Sequence, residues 1–166
     1  MARRNTEERQ ALKLSEAAQT LLDECRMVLP GIQALFGFQL IAVFNPRFAE
    51  LGLAEQHLHL AAIALVAFAV GMVMTPAAYH RSRGSREVTD TFIHVSSLLL
   101  LGSMMPLAAA LAIDIYVISR LVIEEGPAIA FAVAVLAVLV FLWFVFPRMV
   151  AAHEALARAR EHAEEH

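Results

Sequence analysis

Long apolar runs separated by short polar segments dominate the chain. Four runs reach about 20 residues, the length that a helix needs to cross the hydrocarbon core of a bilayer. They cover residues 27–44, 58–79, 92–119 and 127–146. Ten-residue segments of alternating polarity are absent from the sequence, and backbone groups in lipid must be satisfied inside their own segment. The pattern predicts an all-α membrane protein with four transmembrane helices in a bundle.

Residues 1–26 and 148–166, which flank the 27–147 bundle, have helical patterns of their own. Apolar positions recur every three or four residues in each flank. In the first they are Ala11, Leu14, Ala18, Leu21, Cys25 and Val28, and in the second Met149, Ala152, Leu156, Ala159 and Ala163. We expect two water-facing helical extensions. Their stripes could pair with each other, bind a second subunit or lie on the membrane surface.

Composition and charge add a location and an orientation. Hydrophobic residues make up 59% of the 166 positions and charged residues 17%, a balance typical of membrane proteins. Basic residues divide eleven to two between the two sides of the predicted bundle, which favours cytoplasmic N- and C-termini in a bacterial inner membrane. The net charge of −3 and the dispersed arginines give no indication of nucleic-acid binding.

Asp114 is the one acidic residue inside a predicted span. It shares a helix face with Ser96 and Ser103, since the three lie within roughly 20° of one another at about 100° per residue. Intramembrane carboxylates often mark an ion or proton site. Alternatively, Asp114 has a structural role beside Arg47 or Arg120, and the two serines bond neighbouring helices. Both interpretations remain open at this stage.

Gln33 and Gln39 place two primary amides in the first span. They lie about 120° apart around the helix, so the two side chains cannot both face the same neighbouring helix. We expect each to bond a different neighbouring helix, or one to face a second subunit. Lining a polar pathway is the alternative, and it applies above all to Gln39.

Residues near the ends of the spans fit interfacial roles. Tyr79 suits the headgroup region, while His80 and Arg81 complement the negative end of the second helix; proton sensing by His80 is the alternative. His57 and His59 are two positions apart, which does not bring them together on a helix. Motifs of phosphate-binding, serine-hydrolase, zinc-protease and dithiol enzymes are absent, so we expect neither catalysis nor a cofactor or metal.

Several stretches resemble an uncharacterised bacterial family of four-span membrane proteins of about this length. They are Arg26, "LPGIQALFGFQL" from Leu29, Arg47-Phe48 and "TPAAYHR" from Thr75. The similarity covers roughly residues 15–150. Such proteins are often labelled sodium:proton antiporters, so the resemblance implies sodium ions or protons as transported species.

Two functions of different classes follow from the sequence. The first is a small ion- or proton-coupled transporter that works as a homo-oligomer in the lipid bilayer, through Asp114, Ser103, Ser96 and Gln39. The second is a non-catalytic accessory or scaffold protein that binds a partner through its helices.

Overall fold

The computed structural model describes residues 2–83 and 89–164. Side-chain environments are described for residues 12–81 and 89–158. Arg86, one of the basic residues behind the predicted orientation, lies outside the described residues.

Helices account for nearly all of the described chain, and no strand occurs within it. The α-helices are α1 (Ala2–Ala42), α2 (Leu53–Arg83), α3 (Asp90–Arg120), α4 (Glu125–Val140) and α5 (Phe146–Glu164). A 3₁₀-helix, Pro46–Glu50, joins α1 to α2, and one π-helical segment, Phe141–Val145, joins α4 to α5.

Four helical segments are long and apolar enough to cross a membrane. They are Leu12–Ala42, Leu53–Arg81, Asp90–Arg120 and Glu125–Arg158. The prediction of an all-α, multi-pass membrane protein with four spans is thereby confirmed. The helices extend past the predicted spans, because the helical pattern continues into the polar flanks. α1 runs without a break past residue 26 and through Pro30, while the division into a bundle and two extensions remains a prediction.

The core of the bundle lies between α1, α2 and α3. α2 contributes one buried face, Ala62, Val66, Ala69 and Val73, all at most 1% exposed. These positions recur at intervals of three and four, so small and β-branched side chains let the neighbouring helices approach closely. α4 packs along α3 through Ala128 and Ala132, which are both buried.

The apolar stripe of the N-terminal flank belongs to this core. Ala18, Leu21 and Cys25 are buried, and the last two form one cluster with Ile32 and the α2 residues Val66 and Val73. This part of the stripe therefore packs on its own chain, an arrangement that was not among the three expectations, whereas Val28 is 44% exposed. In the other flank, Met149 and Leu156 are 51% and 62% exposed, so within the described residues the two stripes do not pair.

The connection between α1 and α2 forms part of the wall of a cavity that also borders α1, α2 and α3. Asn45 Oδ1 accepts the backbone N–H of Arg47 at 3.0 Å, and Pro46 occupies the first helical position. An asparagine cap followed by proline favours a helix start at this point. The short helix ends at Glu50. Phe48 within it contacts the ring of His59 in α2, and Leu51 directly after it lines the same cavity.

Candidate functional site

Three helices each contribute one polar side chain to a buried cluster. Gln39 comes from α1, His59 from α2 and Asp114 from α3, and they are only 3%, 5% and 7% exposed. His59 lies six residues after the start of α2, and Asp114 lies six residues before the end of α3. Antiparallel neighbours therefore bring both to the same depth, about 9 Å from the helix ends. We call these three residues the Asp114 site.

Hydrogen bonds link all three members of the Asp114 site. Gln39 Nε2 donates to Asp114 Oδ2 at 2.7 Å. His59 Nδ1 lies 3.1 Å from Asp114 Oδ1, and His59 Nε2 lies 2.9 Å from the backbone carbonyl oxygen of Gln39. Both carboxylate oxygens and both ring nitrogens are thus engaged, so the cluster ties α1, α2 and α3 together.

The two contacts of the His59 ring indicate how many protons His59 and Asp114 share. A carbonyl oxygen only accepts, so His59 Nε2 must be protonated to donate to Gln39. Nδ1 and Oδ1 would then repel each other if neither held a proton, and would clash if both did. The contacts therefore favour an arrangement with a single proton between them, either on the imidazolium or on the carboxylic acid, in which the pair is neutral overall.

One polar atom of the Asp114 site has no partner. Gln39 Oε1 is buried and accepts no hydrogen bond within the described structure. A buried acceptor without a donor costs about 1–3 kcal/mol relative to a satisfied one. The atom therefore offers a place for a donor that enters the site from outside the chain.

A cavity of about 330 Å³ adjoins the Asp114 site. Phe48 of the 3₁₀-helix forms part of its wall and meets the His59 ring edge-on, with centroids 5.3 Å apart. Most of the wall is apolar, and the polar lining is concentrated at the Asp114 site and at Asn45 and Arg47. We call this space the Asp114 cavity. It is lined by Leu35, Phe38, Gln39, Ala42, Asn45, Arg47, Phe48, Leu51, His59, Asp114, Val117, Ile118 and Leu121.

The partners of Asp114 differ from the arginines expected for a structural role. Arg120 Nε pairs with Glu55 Oε1 at 3.3 Å, and exposed Arg47 lines the cavity without an ion pair to the carboxylate. His59 replaces them because it lies at the depth of Asp114, whereas Arg120 is the last residue of α3 and Arg47 lies in the 3₁₀-helix between α1 and α2. Sequence reasoning missed His59 by comparing it only with His57 on the same helix; comparing depth across adjacent antiparallel helices would have found it.

Ser96 and Ser103 share a buried face of α3 with Asp114, as their spacing predicts. Ser103 Oγ, however, donates to the carbonyl oxygen of Leu100 in its own helix, at 2.7 Å, so it does not make the expected bond to a neighbour. Neither serine lines the Asp114 cavity. Their part in an ion pathway remains a prediction.

A second, smaller cavity of about 150 Å³ lies towards the other end of α3. We call it the Ser96 cavity. Its wall includes Thr75 and Tyr79 of α2, together with Thr89, Phe92 and Ser96. About 18 residues, or roughly 27 Å of helix, separate Ser96 from Asp114. The structure therefore brings Gln39 to Asp114 and leaves Ser96 in separate surroundings.

Gln33 lies on the exposed side of α1. Among the described residues it makes no hydrogen bond to another helix of its own chain. The helix-packing role predicted for this amide would therefore need a second subunit, which was one of the two expectations for it.

The interfacial residues cluster around Phe92 of α3. The ring of Tyr79 stacks on Phe92 at 5.5 Å between centroids, and His80 lies 6.1 Å from the same ring. Arg81 is exposed. This packing anchors the end of α2 on the start of α3, which is compatible with the predicted interfacial roles.

Comparison with protein-family models matches residues 7–147 to a family described as "Family of unknown function (DUF6328)". The matched range contains all three residues of the Asp114 site, and it confirms the resemblance to an uncharacterised family. The description names no transported ion. No curated protein and no solved structure matches the chain.

Proposed function

The chain belongs to the DUF6328 family of unknown function, and we propose that it is a membrane protein that exchanges protons for another cation at the Asp114 site. The observation behind this proposal is the position of His59 between two acceptors, Asp114 Oδ1 and the Gln39 carbonyl oxygen. This position gives the pair one proton that can leave. No catalytic step is part of the proposal.

Charge balance supports exchange over simple proton binding. The protonated pair is neutral, and loss of its proton leaves one uncompensated negative charge 93% buried at Asp114. An isolated charge in a low-dielectric interior is strongly unfavourable. A cation entering the adjacent cavity compensates that charge, so proton release and cation binding favour each other.

The proposed setting is the bacterial inner membrane, with both termini in the cytoplasm as the basic residues predict. The Asp114 cavity then lies near the outer surface. A homo-oligomer would give exposed Gln33 a partner and could complete a path from the cavity to the other side.

A second candidate function is that of an accessory or scaffold protein. The exposed apolar residues Met149 and Leu156 on α5 favour it, because they form an uncovered surface beyond the fourth apolar run, residues 127–146. This surface could bind a partner without any transport by the bundle.

The test is cation-driven proton movement in proteoliposomes. Wild-type protein is compared with Asp114→Asn, and Asp90→Asn serves as the matched control because Asp90 is an exposed residue in the first turn of the same helix. Gradients of sodium, potassium and a small organic ammonium ion are applied in turn, and a pH-sensitive dye reports proton movement.

We expect flux in wild type and Asp90→Asn and none in Asp114→Asn. Flux retained by Asp114→Asn would move the exchange site elsewhere. Absence of flux in correctly inserted wild-type protein, for every cation, would overturn the transport proposal and leave the accessory role.

A further inference from the structure

We propose that the Asp114 cavity binds an organic ammonium ion with a compact apolar body. The proposal rests on the proposed function, since it names the cation that replaces the proton of the His59–Asp114 pair. Its grounds are the unpartnered Gln39 Oε1, the apolar wall and the buried carboxylate of Asp114 among the lining residues.

The donor set suits an ammonium group better than a bare metal ion. Hard cations such as Ca²⁺ take six or more oxygen ligands in proteins. Around the cavity, Asp114 supplies the one carboxylate, Gln39 Oε1 one amide oxygen, and Asn45 Oδ1 is already occupied by the N–H of Arg47. Among the described residues no cluster of three His, Cys, Asp or Glu side chains could hold a metal ion. An ammonium group needs only a few acceptors, which the site provides.

Gln39 Oε1 makes the site selective for a cation with N–H groups. The amide Nε2 is held by Asp114 Oδ2, which leaves Oε1 as a buried acceptor without a donor. A protonated amine can donate to Oε1 and still lie near the carboxylate. A quaternary ammonium ion has the same charge but no N–H, so it leaves the acceptor unsatisfied.

The walls fit the apolar part of such a ligand. The volume of about 330 Å³ lies at the lower end of the range for small-molecule sites, about 300–1,000 Å³. Leu35, Val117 and Leu121 provide aliphatic surface, while Phe38 and Phe48 provide aromatic rings. Aromatic faces attract ammonium groups in addition to burying hydrocarbon.

Among the residues that line the cavity, Asp114 is the one anion available to the ligand. Glu55 is paired with Arg120. Arg47 lines the cavity but is exposed, so solvent or headgroups screen its charge. The cavity thus has its negative group buried and its positive group at the surface, an order that favours a bound cation with its charged end at Asp114 and its apolar end towards the surface.

The experiment is calorimetric titration of the purified full-length protein in nanodiscs with hexylammonium and hexyltrimethylammonium. The two probes share charge and alkyl chain and differ in their N–H groups. Repeating each titration in two buffers of different ionisation enthalpy counts the protons released. Empty nanodiscs correct for partitioning into lipid, and sodium chloride provides the bare-ion comparison.

We expect hexylammonium to bind with release of about one proton, since the His59–Asp114 contact holds one. Hexyltrimethylammonium should bind at least about tenfold more weakly. Ala42→Phe, which fills the cavity, should abolish binding, whereas Ala34→Phe on the exposed side of α1 should not. Gln39→Leu should remove the preference between the two probes.

Three outcomes would overturn this assignment. Equal affinity for the two probes would show that Gln39 Oε1 has no part in recognition. Binding that persists in Ala42→Phe would place the ligand outside the cavity. Proton release on addition of sodium but not of hexylammonium would exclude the organic ligand and remain compatible with cation–proton exchange. If no cation released protons, the proposed exchange would be contradicted as well.

Discussion

The Asp114 cavity and the Ser96 cavity, which both lie beside α3, differ in how their polar residues are bonded. In the Ser96 cavity, two threonine hydroxyl groups serve their own helices: Thr75 Oγ1 donates to the carbonyl oxygen of Gly71 at 2.8 Å, and Thr89 Oγ1 accepts the N–H of Phe92 at 3.3 Å. In the Asp114 cavity, the bonds join residues 75 and 55 positions apart in the chain. Local bonds satisfy the backbone, whereas the long-range bonds tie three helices together at the Asp114 site.

The largest effect should follow from removing one partner of the buried pair. Asp114→Leu leaves His59 Nδ1 and Gln39 Nε2 without a partner, and loss of one member of a buried pair costs about 3–5 kcal/mol. We expect this loss in the free energy of unfolding, measured by denaturant titration in detergent.

The double variant His59→Leu/Asp114→Leu sharpens this test. Replacing a whole buried pair with apolar residues is often nearly neutral, so the double variant should be more stable than Asp114→Leu alone. A double variant as unstable as the sum of its two single variants would mean that His59 and Asp114 do not act as a pair.

The two glutamines of α1 provide a matched comparison with a smaller effect. Gln39→Leu removes a hydrogen bond to a carboxylate and should lower the free energy of unfolding by about 1.5–3 kcal/mol. Gln33→Leu removes an exposed amide that faces away from the bundle, so protomer stability should change little.

Oligomer content tests whether Gln33 contacts a second subunit. Light scattering in detergent should show fewer oligomers for Gln33→Leu if the amide bonds a second subunit. Equal destabilisation by both substitutions, with oligomer content unchanged, would contradict the difference in burial between the two positions.

The smallest effects should come from the serines of α3. Ser103→Ala removes a bond to a carbonyl oxygen of its own helix, and Ser96→Ala removes a hydroxyl far from Asp114. We expect a change of at most about 1 kcal/mol in the free energy of unfolding for each. Proton flux in proteoliposomes should remain at the wild-type level. Loss of proton flux at unchanged stability in either variant would extend the ion pathway along the face of α3 that Ser96 and Ser103 share with Asp114.

Periodicity alone does not indicate which face of an apolar helix packs within the chain. Ala67 with Gly71 and Ala130 with Ala134 have the spacing of helix contacts, yet all four are exposed. The contacts instead use Ala69 of α2, and Ala128 and Ala132 of α4. In an alanine-rich span several faces have the same spacing, so the sequence cannot indicate which one packs.

The sequence by itself determined the class of the protein, its four spans, the turn at Asn45-Pro46 and the common face of Ser96, Ser103 and Asp114. These features depend on hydrophobic length, on local capping and on the fixed rotation per helical residue, and all of them are properties of one segment. It also indicated Asp114, because a carboxylate in an apolar span is rare.

Only the tertiary structure decided which residues meet that carboxylate. His59 and Gln39 reach Asp114 because α1, α2 and α3 pack at one particular rotation and depth, and that choice depends on side-chain packing across helices far apart in the chain. The same packing buried Gln39 and exposed Gln33, although the two have identical chemistry. The contact between His59 and Asp114 is therefore a consequence of the bundle, not of any single span.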